Sequence, residues 1–320
     1  MEILAFGFGA VAPVVLITLL GWFLRLGGLL SHDAIPPLNK LFFFVLIPCL
    51  LFSNTLGVDF YTEFRPQLAL YSVGMVLFVF AALWFFMAFW IKDKELLANS
   101  IHACFRSNFV IYAIPMMSAM FGTLGVRTIS VIIPIIIVLY NILGIVILWR
   151  YANHEPESTL AATRKIVLDI IKNPLVLASL SGFILSMAGV SGDIPGFLLS
   201  AVYAVGMAAT PIGLILMGLQ LDFKTLGDNR KLIAAICVVR LVVVPAVALI
   251  PAVLFFGFSG VELAVLTILF GAPSPTVAAV MAGIYNVAPV FAAQLVIVTT
   301  VFSAGTLLII ISTLRMLALL

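Results

Sequence analysis

Charge is what this sequence has least of. Only 9% of its 320 residues are Asp, Glu, Lys or Arg, against 64% hydrophobic ones, and mean hydropathy is +1.30. A soluble domain carries about a quarter charged residues, and no aqueous core could bury this much apolar surface. A soluble globular chain is excluded, and a polytopic membrane protein is expected. Cysteine is scarce too. Cys49, Cys104 and Cys237 stand far apart, each inside an apolar run, which argues against a disulfide framework and a thiolate metal site. The net charge of +3 comes from basic residues scattered in short loops, so there is no basic face for nucleic acid. Walker A, His-Glu-x-x-His and Gly-x-Ser-x-Gly runs are missing, as are paired His and acidic ligands on one span; the chain reads as a non-enzyme without a cofactor. Met1-Glu2 offers no basic n-region, and the first apolar run outlasts a signal-peptide core, so it is expected to stay as a span.

What the sequence has in abundance is apolar runs of about 17 to 25 residues, long enough to cross a bilayer. They fall at Ile3–Leu24, Leu41–Leu56, Leu68–Ile91, Leu97–Met120 and Thr128–Trp149, then at Ile166–Val190, Phe197–Gln220, Leu232–Phe256, Val261–Ile284 and Val290–Ser312. The expectation is an all-α polytopic membrane protein of ten transmembrane helices. Residues 1–150 and 166–320 form two five-helix halves, and 151–165, the longest hydrophilic run, links them. Basic residues sort by side in this layout. Arg25, Lys40, Lys92, Lys94, Arg150, Arg164, Lys165, Lys172, Lys224, Arg230 and Lys231 fall on one side, Arg65, Arg127 and Arg315 on the other. The richer side is expected to be cytoplasmic, with the linker on it and both termini outside.

The halves also repeat. Pro48 precedes Asp59-Phe60 by eleven residues, and Pro211 precedes Asp222-Phe223 by the same eleven, at an offset of 163. Pro13 and Pro174 are 161 apart, Phe105 and Phe270 165. A repeat of five spans is odd, so the second copy enters from the opposite face: two inverted five-helix repeats, an architecture of alternating access.

One stretch breaks the pattern. In Phe270 to Asn286, Pro273, Ser274 and Pro275 interrupt the ninth span. Each proline removes an amide donor, and its ring clashes with the carbonyl four residues back. Unpaired backbone at membrane depth is tolerated only where protein or a watery cavity lines it, which in carriers is where substrate sits; the alternative is a kink repaired by neighbouring helices. The matching stretch of the fourth span, Cys104 to Pro115, holds Arg106, Ser107, Asn108 and Pro115. Helices 4 and 9 are therefore expected to be broken and to cross, with half-helix N-termini gathering positive partial charge near one point.

These residues resemble the auxin efflux carrier family. Arg106-Ser107-Asn108 followed by Ile114-Pro115 is similar to the family's Asn-containing crossover, Pro273 to its second crossover proline, and Tyr285-Asn286-Val287-Ala288-Pro289 to a Tyr-Asn-Val-x-Pro stretch of plant members. Ser107 and Phe109 depart from the plant Asn-Pro-Asn-Thr crossover, and the short central loop fits bacterial members better. The resemblance implies the ten-helix fold of the bile acid/sodium symporter superfamily, with scaffold and crossover domains each drawn from both repeats. It further implies a bacterial inner-membrane location, a homodimer, and an auxin-like monocarboxylate or a malate- or malonate-type dicarboxylate as substrate.

The expected substrate site comprises Arg106, Ser107, Asn108, Pro115, Pro273, Ser274, Pro275, Thr276 and Asn54. Arg106 stands at a depth where a charge costs at least ~2.5–3.5 kcal/mol; it either faces a substrate carboxylate, pairs with a carbonyl freed by the break, or snorkels. Arg240, about 12 Å inside its span at 1.5 Å per residue, is expected to snorkel to the cytoplasmic face. Asn54, Asn141 and Gln294 line the cavity or bond between helices. His102, Asp59 and Asp222 are the candidates for coupling to H+ or Na+, and no carboxylate falls at mid-span. The expected activity is secondary active transport of a small organic anion across the lipid bilayer. Its alternatives are an uncoupled, channel-like uniporter and a membrane-embedded ligand sensor of the same fold.

Overall fold

In hydrocarbon a backbone must satisfy its own hydrogen bonds, which leaves helices as the element available to these apolar runs. A computed structural model describes residues 2–56, 64–152, 164, 167–168, 171–189, 194–221 and 229–320; Asp59, Asp222 and most of the 151–165 linker lie outside them. The helices are α1 (Glu2–Leu26), α2 (Ile35–Leu56), α3 (Pro66–Trp90), α4 (Lys94–Phe105), α5 (Phe109–Tyr151), α6 (Pro174–Met187), α7 (Gly196–Leu219), α8 (Arg230–Leu254), α9 (Gly260–Gly271), α10 (Thr276–Ile284) and α11 (Pro289–Met316).

Among the described residues seven helices are long and apolar enough to cross a membrane, or eight if the bent pair α9 and α10 counts as one span. The difference from ten has two sources. The expected fourth and fifth spans run together as one stretch, Lys94–Tyr151, of 58 residues. At 1.5 Å per residue that is about 87 Å, far beyond a hydrocarbon core of ~30 Å, and it is interrupted at 106–108 and again at Gly122, whose φ of 57° and ψ of −138° only glycine adopts easily. The expected sixth span is described as a helix of 14 residues, Pro174–Met187. The second begins at Ile35, six residues before Leu41, because Pro36 and Pro37 sit in its first turn, where a missing amide costs nothing.

Among the described residues, the two internal π-turns each precede a proline. Phe42–Leu46 stands two residues before Pro48, and Val239–Val243 two before Pro245. The ring of each proline crowds the carbonyl four residues back, inside the π segment, and the wider turn accommodates it.

Packing sorts the helices into two groups. α1 lies on α7, and α2 on α6 and α7; α3, α4 and α5 pack with α8 to α11, and the groups meet chiefly where α1 touches α5 and α11. Small residues set the first group's spacing: a Cβ on Gly21 would lie 2.1 Å from the Ile215 carbonyl oxygen, and one on Gly218 1.9 Å from that of Thr18, so α1 and α7 touch backbone to backbone. Helix ends gather at two faces. At one, Arg315 covers the Phe6 ring at 4.8 Å, the Gly260 amide donates to Leu319 (2.7 Å) and Arg65 pairs with Glu262 (3.0 Å). At the other, Arg25 donates to the Leu219 carbonyl (3.0 Å), Gln220 to Asn39 (3.2 Å) and the Ala288 amide to Glu95 (3.0 Å). Both ends of the chain therefore lie at one face, and the outer surface is apolar, with Trp90, Phe197 and Phe255 largely exposed.

Candidate functional site

The two breaks meet. Between α4 and α5 the chain unwinds over Arg106, Ser107 and Asn108; between α9 and α10 it unwinds over Ala272, Pro273, Ser274 and Pro275. The Asn108 amide donates to the Pro273 carbonyl at 2.7 Å, so the segments cross in direct contact. In an unbroken helix that amide would bond the Cys104 carbonyl; its diversion frees Cys104 O. Ser274, between two prolines without donors, gives its own amide to Thr299 Oγ1 of α11 at 3.2 Å.

Arg240 of α8 collects the freed carbonyls. Its Nη1 donates to Cys104 O (2.8 Å) and its Nε to Ala272 O (3.0 Å), which Nη2 also reaches. The side chain has 0% exposure, so the expected snorkelling does not occur. Two carbonyls stripped of helical partners beside it satisfy the guanidinium in place, where extending to the interface would leave them unpaired.

Arg106 is placed differently. It is 5% exposed, its Nη2 donates to Asn141 Oδ1 (2.9 Å) and its Nη1 approaches the Met281 sulfur (3.1 Å). Gly144 makes the room: a Cβ there would stand 2.9 Å from His102 Nε2 and 3.2 Å from Arg106 Nη1. His102, a turn before Arg106, is fully buried on the Phe105 ring (5.6 Å), and both its ring nitrogens lack partners, as does the Asn141 amide nitrogen. Among the described residues, no carboxylate pairs with Arg106, His102 or Arg240, whereas Arg65 pairs with Glu262 at the surface. The alternative pairing of Arg106 with a freed carbonyl thus falls to Arg240 instead.

Around these lie the remaining candidates. Ser107 shares a hydrogen bond with Tyr140 (3.3 Å), and Asn108 Nδ2 reaches the Met217 sulfur of α7 at 3.0 Å, crossing from one packing group to the other. The Ser274 hydroxyl is buried without a partner, and Thr276 opens α10. The first intrahelical bond of α5 is Tyr112 to Asn108 (3.2 Å), so the amides of Phe109 to Ile111 are the free donors of a helix N-terminus, and they face the crossing with the positive end of the dipole.

Two expected members fall elsewhere. Pro115 lies inside α5, which passes through it unbroken: a buried helix absorbs one missing bond when neighbours pack around it, and the unwinding is confined to the proline-free 106–108. Asn54 lies in the last turn of α2, its amide nitrogen unpartnered and with no bond to the breaks. Conversely, Tyr140, Met217, Met281, Thr299, Thr300 and Ser303 went unnoticed in the sequence. Tyr112 and Ser303 share a 3.5 Å contact, and Thr300 Oγ1 is buried without a partner. The signal that could have found them is three hydroxyls, Thr299, Thr300 and Ser303, within two turns of one apolar span.

An apolar helical bundle with two interrupted helices crossing at a buried cationic centre belongs with the integral membrane transporters. The sequence profile of the membrane transport protein family, the auxin efflux carriers, matches residues 6–311, and the chain belongs to that family. Among individually curated proteins, none matches significantly.

Proposed function

We propose that the protein is a secondary active carrier of a small organic anion, working by alternating access at the crossing of the two broken helices. The observation that carries this reading is Arg106: a buried cation with donors to spare, beside an unpartnered histidine, the unpartnered amide nitrogen of Asn141 and a helix N-terminus, with no carboxylate paired to it among the described residues. A carboxylate is the complement of that set, since guanidinium and free amides both favour an acceptor-only anion. Arg106 and Asn108 bind it, with Ser107, Ser274 and Thr276 supplying further donors; Pro273 and Pro275 hold the second break open. An auxin-like monocarboxylate and a malate- or malonate-type dicarboxylate both suit these donors.

In this reading the chain spans ten times as two inverted repeats in a bacterial inner membrane, with both termini outside; the kink at Gly122 and the shared face of the chain's ends support it. α1, α2, α6 and α7 act as the scaffold and the other helices move against them, with the Asn108 to Met217 contact at their boundary. His102, unpartnered beside Arg106, is the candidate for coupling to a proton, with Asp59 and Asp222 as further candidates, and two copies associate as a homodimer.

The test is counterflow in liposomes and thermal stabilisation in detergent across mono- and dicarboxylates and indole acids. One anion should raise the melting temperature of wild type and exchange across the membrane, whereas Arg106→Gln and Asn108→Ala should bind it about 10- to 100-fold more weakly, the worth of a charged hydrogen bond. Equal stabilisation of both variants would place the anion elsewhere.

A further inference from the structure

The carbonyl ends of the two broken helices face one another across Arg240. A helix C-terminus carries the negative end of its dipole, and carbonyls at the ends of interrupted membrane helices are the groups with which carriers hold free metal cations. Cys104 O comes from the last turn of α4 and Ala272 O from the residue capping α9, and both accept from the same guanidinium. That guanidinium is fully buried and, among the described residues, has no acidic partner. The chain thus gives this positive charge two backbone carbonyls as its hydrogen-bond acceptors. Hard carbonyl oxygens are also what a sodium ion takes as ligands.

We propose that Arg240 is a tethered cation filling a carbonyl site between the ends of α4 and α9, so that no dissolved metal cation binds at the crossing. The π-turn Val239–Val243 carries the side chain into that position. Removing the guanidinium opens a site for a free cation. This inference takes its meaning for coupling from the transport reading, yet its binding chemistry is testable without any substrate.

The experiment measures the melting temperature of the full-length protein in detergent for wild type, Arg240→Ala, Arg240→Gln and Arg240→Lys. Each is held in choline, sodium, potassium or dilute guanidinium chloride at equal ionic strength. Wild type should melt at the same temperature in all four. Arg240→Ala should melt lowest in choline and regain at least half its loss in sodium or guanidinium, while Arg240→Lys retains most of the stability in every salt. Arg106→Ala should show no such recovery. Where Arg240→Ala does not fold, Arg240→Gln carries the test by the same selective recovery. A folded Arg240→Ala or Arg240→Gln indifferent to the cation, or a wild type stabilised by sodium over choline, overturns the proposal. A failed uptake assay would leave these readings untouched, so the two readings fail separately.

Discussion

Arg106 and Arg240 share one side-chain type, both are buried at the same crossing, and they are held in opposite ways. Arg240 bonds two main-chain carbonyls that the breaks leave without helical partners. Arg106 rests on one side-chain oxygen and one sulfur, next to a histidine with two idle nitrogens. A guanidinium saturated by backbone is part of the scaffold of a break; one propped by soft and movable side chains is available to a ligand. The difference lies in what each break left over. The crossing bond from Asn108 to Pro273 frees a carbonyl toward α8, whereas Arg106 itself caps α4 and its side chain turns to α5 and α10.

That contrast is most strongly tested by Arg240→Ala. Leaving two buried acceptors open, at about 1–3 kcal/mol each, should lower unfolding stability by about 2–6 kcal/mol in a thermal or denaturant melt. Arg106→Gln should behave in the reverse manner: ligand-free stability within about 1 kcal/mol of wild type, because the loss of a poorly paired buried charge offsets the lost contacts. If it melts as low as Arg240→Ala, the two arginines are both structural. A gentler probe is Gly144→Ala, whose methyl group would press on His102 and Arg106. Overpacking of about 1–3 kcal/mol should weaken anion stabilisation roughly tenfold, read as a shift in the ligand concentration needed. Pro115→Ala should matter least. It restores a donor to an intact helix, so the melt should move by no more than about 1 kcal/mol; a loss matching Gly144→Ala would return Pro115 to the site.

Much of this was legible one span at a time. Hydrophobic runs name the helices because transfer into lipid depends on local composition, and Pro273 with Pro275 marks a break because a missing donor is a property of the residue itself. Arg106, Ser107 and Asn108 stood out as polar groups at depth. A proline such as Pro115 shows only that one bond is missing, and neighbouring helices decide whether the chain unwinds there. Most of the linker and the two aspartates, Asp59 and Asp222, fall outside the described residues, so their reading rests on sequence alone.

By itself the sequence determined that the chain lies in a membrane, that it is built of apolar helices, and that one of them cannot run unbroken. Tertiary structure alone decided which groups the two arginines bond. Arg240 and Cys104 are 136 residues apart, Arg240 and Ala272 32, and Arg106 and Met281 175. Which carbonyl is left free depends on which amide has been drawn across the crossing, and no local pattern of residues records that. Hydropathy is a sum over neighbours in the chain; hydrogen-bond completion at a break is settled between neighbours in space.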